Sequence, residues 1–126
     1  MMKTKSSTRQ EPNFRLLDLS YMKQISRNDL AYERAVIKVF IQTIPENLKE
    51  LNNALQLKSH IDLHRIFHHM KSSLSVMGLD KKLSNLFEED QLGKIDIQQL
   101  KEDIDFINAV CTKAVEEAKQ YLKVIG

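Results

Sequence analysis

Residues 67 to 78 read Phe67-His68-His69-Met70-Lys71-Ser72-Ser73-Leu74-Ser75-Val76-Met77-Gly78. On a helical wheel extended back to residue 60, Leu63, Ile66, Phe67, Met70, Leu74 and Met77 fall within one arc roughly 100° wide, the width of a helix that buries one face. His68 lies about 150° from the centre of that arc, on the opposite side, so it does not read as a core histidine. Ser75, Ser72 and Lys71 stand within about 60° of it. Two hydroxyls and an ammonium thus surround an imidazole on the polar face of an amphipathic helix. All four histidines of the chain, His60, His64, His68 and His69, fall within this one stretch.

Working outward, the same helical period continues on both sides. Ser59 reads as the N-cap of the histidine helix, with Asp62 in the first turn favourable to its dipole, and Gly78 ends it as a C-terminal glycine. Before it, Ile37, Ile41, Ile44, Leu48, Leu51 and Leu55 alternate at intervals of four and three, the spacing of helices packed nearly antiparallel. Asn28 or Asp29 caps this long helix. Pro45 removes one backbone donor without resetting the apolar register, which predicts a kinked but continuous helix. Upstream, Asp18 caps a short helix from Leu19 to Ile25, with Leu19, Met22 and Ile25 covering one end of the bundle.

Downstream, Asp80 to Leu92 reads as a shorter helix with Leu83, Leu86 and Phe87 inward, stopped by Gly93. Asp96 and Gln99 form a capping pair for the last helix. There Leu100, Ile104, Ile107, Cys111, Ala114, Ala118 and Tyr121 or Leu122 again step by four and three. No segment alternates as a strand does. The sum is an all-α chain, a four-helix up-down antiparallel bundle with a short N-terminal helix across it and an extra short helix. Residues 1 to 13, polar and closed by Pro12-Asn13, read as a disordered tail, and residues 14 to 126 as one bundle domain.

Composition narrows the function classes. With 126 residues and 42% apolar side chains, one domain can bury a core without metal or disulfide staples. The net charge of +2 provides no basic footprint for nucleic acid. Cys111 is the only cysteine, which excludes an intrachain disulfide, and its register makes it a small core side chain. No run is long and apolar enough for a membrane span, and the polar N-terminus is not a secretory signal. A cytoplasmic monomer is the expectation. Met22, Met70 and Met77 read as core, and the acidic runs Glu88 to Asp90 and Glu116-Glu117 as solvated faces.

The pattern His68-x-x-Lys71-Ser72-Ser73 with Gly78 ten residues after the histidine resembles the motif of histidine-containing phosphotransfer (HPt) domains. Leu19-Ser20-Tyr21-Met22, Phe40 to Pro45 and the leucines Leu48, Leu51 and Leu55 extend the resemblance over roughly residues 16 to 124. Ser72 departs from it, standing where the family most often has glycine, and Phe67 stands where alanine is common. The resemblance implies that His68 is phosphorylated, that Lys71 assists, and that His64, Ser72, Ser75 and Gly78 border the surface met by a partner. That partner would be a receiver domain of a response regulator or hybrid histidine kinase, and it would contribute the Mg²⁺ and the aspartate.

The chemistry of the residues is consistent with this. A phosphoryl carrier needs a nucleophile that is neutral near pH 7 and accessible, and imidazole, with an ordinary pKa of about 6.5, meets both conditions. Lys71 offers a point charge for phosphate oxygens, and Ser72 and Ser75 offer donors. The chain has neither a phosphate-binding Gly-Lys loop nor a Gly-rich nucleotide lid, so it does not read as a kinase. Two other readings compete. His60, His64 and His68 form a ridge at intervals of four, but three ligands strung over two turns cannot converge on one metal ion, so no metal site is expected. A bundle that binds partners without accepting phosphate is the alternative, through the face around Ile61 and Val76.

Overall fold

A computed structural model describes residues 16–80, 82–83 and 97–126. The expected tail at 1 to 13 and most of the expected helix at Asp80 to Leu92, with Gly93 and Asp96, lie outside the described residues. Among the described residues there are four helices and no strand: α1 (Ser20–Ser26), α2 (Leu30–Gln56), α3 (His60–Val76) and α4 (Ile97–Ile125). The all-α bundle follows from the periodicity read above.

Helix α2 starts where Asp29 accepts hydrogen bonds from the backbone N–H groups of Ala31 and Tyr32 at 3.0 and 3.3 Å. It runs unbroken through Pro45 to Gln56, so the continuous apolar register outweighs the lost backbone donor. Ile37, Phe40, Ile44, Leu48, Leu51 and Ala54 are buried, while Ile41 and Leu55 are half-buried at the edge of the stripe. The turn into α3 is short because Ser59 serves both helices. Its N–H donates to the Ala54 carbonyl at 3.0 Å, and its hydroxyl accepts from the Asp62 N–H at 3.3 Å. Antiparallel neighbours are the result.

Helix α4 also runs antiparallel to α2. Tyr121 near its end meets Glu33 near the start of α2, and Asn108 meets Asn52. Along α4, Leu100, Ile104, Ile107, Cys111, Ala114, Ala118 and Tyr121 are all fully buried, and α3 with its C-cap Met77 contributes Leu63, Ile66, Phe67, Met70, Leu74 and Met77 to the same core. Among the described residues, no buried side-chain polar atom lacks a partner.

Three expectations are corrected. Asp18 is not the N-cap of α1, which is Leu19; its carboxylate instead accepts from the Ser20 N–H at 3.0 Å, while its own N–H reaches across to the Met77 carbonyl at 3.1 Å. Ile25 is exposed, because the inner line of this two-turn helix runs through Met22 and Ser26. Glu117 is not on a solvated face. It is buried and accepts from the backbone N–H groups of Leu16 and Leu17 at 3.1 and 3.0 Å.

Candidate functional site

Five apolar side chains of α3 and its C-cap Met77 turn one face inward, and that fixes what the other face presents. His68, Lys71 and Ser72 are exposed, and His64 and Ser75 are half-buried. The rings of His64 and His68, one turn apart, lie 6.3 Å between centroids and are nearly parallel, with 14° between their planes. Lys71 and Ser72 follow within one turn. The face read from the wheel as polar is therefore the accessible face, with an imidazole, an ammonium and hydroxyls on adjacent turns.

Two hollows border this face, one turn C-terminal to His68. The first, about 320 Å³, lies between α2 and α3 and is apolar, with Val36, Val39 and Phe40 on one side and Ser72, Ser73 and Val76 on the other. The second, about 710 Å³, is a polar groove between the α1 segment and α3, with Asp18, Ser20, Tyr21 and Gln24 opposite Lys71, Ser72 and Ser75. Ser72 and Val76 belong to both, so they form the ridge between them. Ile61, two turns before His68, is 82% exposed.

Gly78 lines the polar groove and closes α3 by a Schellman arrangement. Its N–H donates to the Ser75 carbonyl at 3.0 Å, and the Leu79 N–H donates to the Leu74 carbonyl at 2.8 Å. Its φ is +76°, and a Cβ there would run into the Asp18 carbonyl oxygen and come within 2.5 Å of the Asp18 Cβ. The backbone of Asp18 rests where a side chain would be.

Cys111 contributes no reactive thiol to this surface: it is buried on α4, and desolvation pushes its pKa up to about 12. Among the described residues, no group of three or more His, Cys, Asp or Glu side chains is placed to hold a metal ion. No described helix is long and apolar enough to cross a membrane.

The family model described as the Hpt domain matches residues 35–121. The chain belongs to the Hpt domain family. No curated protein and no solved structure matches it. Hpt domains are helical phosphocarriers of phosphorelays that interact with receiver domains and have no kinase catalytic domain of their own. The match spans α3 entire and most of α2 and α4, but it begins after α1 and after Glu33.

Sequence reasoning placed His64, His68, Lys71, Ser72, Ser75 and Gly78 along α3, and the fold brings all six to the face or the end of that one helix. It missed Tyr21 and Gln24, which share the polar groove with Lys71. It also missed Glu33, a 1% exposed carboxylate held by the Tyr121 hydroxyl at 2.6 Å and the Ser26 hydroxyl at 3.2 Å. The one sequence signal for Glu33 was its position four residues before Ile37, on the inner stripe of α2.

Proposed function

We propose that His68 is the phosphoacceptor, taking a phosphoryl group from the aspartyl phosphate of one receiver domain and passing it to the aspartate of another. The observation that carries this reading is the position of His68, an exposed imidazole opposite the buried face of α3 with Lys71 one turn away. In the forward step the unprotonated ring nitrogen attacks phosphorus. The acyl-phosphate P–O bond breaks, a P–N bond forms and the aspartate leaves as a carboxylate. The other ring nitrogen keeps its proton. The reverse step loads the next receiver.

Catalysis of phosphoryl transfer consists chiefly of positioning and charge stabilisation. Lys71 neutralises charge on the phosphoryl oxygens, and Ser72 and Ser75 donate hydrogen bonds from the neighbouring turn. Ser72 is small enough to let a partner approach. The apolar hollow beside α2, with Val39 56% exposed, and the exposed Ile61 supply area for docking a receiver domain, with His64 between Ile61 and His68 and Gly78 in the neighbouring groove. Mg²⁺ belongs to the receiver. A monomer is sufficient for this role, because the described buried residues form one core cluster within a single chain.

The test is incubation with a phosphorylated receiver domain, following acid-labile, alkali-stable phosphate by intact mass. Wild type should gain one phosphoryl group and His68→Gln none. Lys71→Ala should load about 10- to 100-fold more slowly, the equivalent of one charge-assisted hydrogen bond. Equal loading of His68→Gln would remove His68 from the mechanism. Partner binding by a folded wild type that never gains phosphate would leave a phosphate-free interaction bundle.

A further inference from the structure

Among the described residues, Glu33 and Glu117 are the buried acidic side chains, and both serve the same short segment. Glu117 of α4 binds the segment before α1, accepting from the N–H groups of Leu16 and Leu17 through one oxygen. Glu33 of α2 binds the end of α1, accepting from the Ser26 hydroxyl while Tyr121 of α4 donates to its other oxygen. Between these two anchors, the Asp18 N–H donates to the Met77 carbonyl, and the missing side chain of Gly78 makes room for the Asp18 backbone. Burying a carboxylate is costly unless its hydrogen bonds are specific, so one of them before the seven-residue helix and one at its end fix where that helix lies.

The position so fixed is the outer wall of the polar groove. On α1, Tyr21 and Gln24 are exposed and face Lys71, Ser72 and Ser75 across it. This wall lies outside residues 35–121, so the family match does not account for it. Resting on the phosphocarrier reading above, we infer that Glu117 and Glu33 are positioning residues for receiver recognition: they hold α1 so that Tyr21 and Gln24 meet the incoming receiver domain and set which receivers His68 serves. Neither carboxylate acts on the phosphoryl group. Their effect reaches the reaction through α1 alone.

Two phosphoryl donors separate this role from a general structural one. A receiver domain phosphorylated with acetyl phosphate must dock before transfer, whereas phosphoramidate is small enough to reach His68 without the wall. With phosphoramidate the P–N bond of the donor breaks, ammonia leaves and the imidazole takes the phosphoryl group. In Glu117→Leu the Leu16 and Leu17 amides lose their acceptor and should exchange hydrogen faster, the KM for the receiver should rise about tenfold, and phosphoramidate loading should stay at the wild-type rate. Glu117→Gln keeps a carbonyl oxygen as acceptor and should restore the KM to within about twofold of wild type. Tyr21→Ala and Gln24→Ala, on the exposed wall and harmless to the core, should raise the receiver KM even if Glu117→Leu fails to fold.

A receiver KM unchanged in Tyr21→Ala and Gln24→Ala overturns the inference. So does a Glu117→Leu protein that loses both donors in parallel, since that is the mark of a merely structural residue. A wild type that takes phosphate on His68 from neither donor overturns the phosphocarrier reading itself, and this inference with it.

Discussion

Gly78 shows how one residue serves two purposes. Its positive φ of +76° ends α3, a conformation that L side chains adopt at a cost, and its bare Cα admits the backbone of Asp18. The neighbour that an added methyl would strike is backbone rather than a flexible side-chain tip, so relief requires the segment before α1 to move. Gly78→Ala should therefore destabilise the fold by about 2 kcal/mol or more, read as a lower urea midpoint with unchanged slope. Ser72 is the contrasting case. It is exposed on a ridge between two hollows with no such backbone demand, and serine at this position keeps the surface low while avoiding the entropic penalty of a mid-helix glycine.

Each of the first three helices ends on a left-handed residue, and only the third uses glycine for it: Arg27 and Asn28 follow α1, Lys58 follows α2 and Gly78 follows α3. Lys58 occupies the position after the C-cap of α2 with φ +55°, and its N–H donates to the Leu55 carbonyl at 3.0 Å while the Ser59 N–H donates to that of Ala54. This is the same closing pattern as at Gly78, with a Cβ where glycine is favoured. Because Lys58 is exposed, Lys58→Gly should stabilise the protein by about 1 kcal/mol, measured as a rise in thermal midpoint. An unchanged or lower midpoint would mean that the unfolded chain's gain in freedom outweighs the relief of strain. Between α2 and α4, the reciprocal amide pair of Asn52 and Asn108 at 2.9 and 3.4 Å favours one axial register over slippage along two apolar stripes of similar period.

At the scale of the whole molecule, Cys111 reports on the integrity of the core. It sits on the inner face of α4 with no exposed surface, and desolvation raises its pKa from 9.0 to about 12. The unfolded chain loses this proton above pH 9 while the folded chain retains it, so the associated stability is complete below pH 9 and is lost as pH rises towards 12. The slope is about 1.4 kcal/mol per pH unit over that range. Between pH 8 and pH 10, wild type should lose about 1.4 kcal/mol more stability than Cys111→Ala, compared by urea unfolding at the two values. Equal losses would place the thiol in contact with water in the native state.

The four described helices, the Ser59 cap, the narrowing of the α2 cap to Asn28 or Asp29, the core stripes of α3 and α4 and the exposed face bearing His68 were legible in the sequence, because each depends on residues close together on one helix. So was the resemblance to the family, from the stretch His68 to Gly78 taken together with Leu19 to Met22, Phe40 to Pro45 and the leucines Leu48, Leu51 and Leu55. The burial of Glu117, read as solvated, and of Glu33, not singled out at all, were not legible. Their partners lie far away along the chain: Glu117 meets Leu17 across 100 residues, and Glu33 meets Tyr121 across 88. An acidic residue in a helical stripe looks the same to local periodicity whether water or a distant backbone N–H satisfies it. The placement of α1 as a wall beside Lys71 was likewise decided only by tertiary packing, since no local signal states which end of a bundle a two-turn helix will cover.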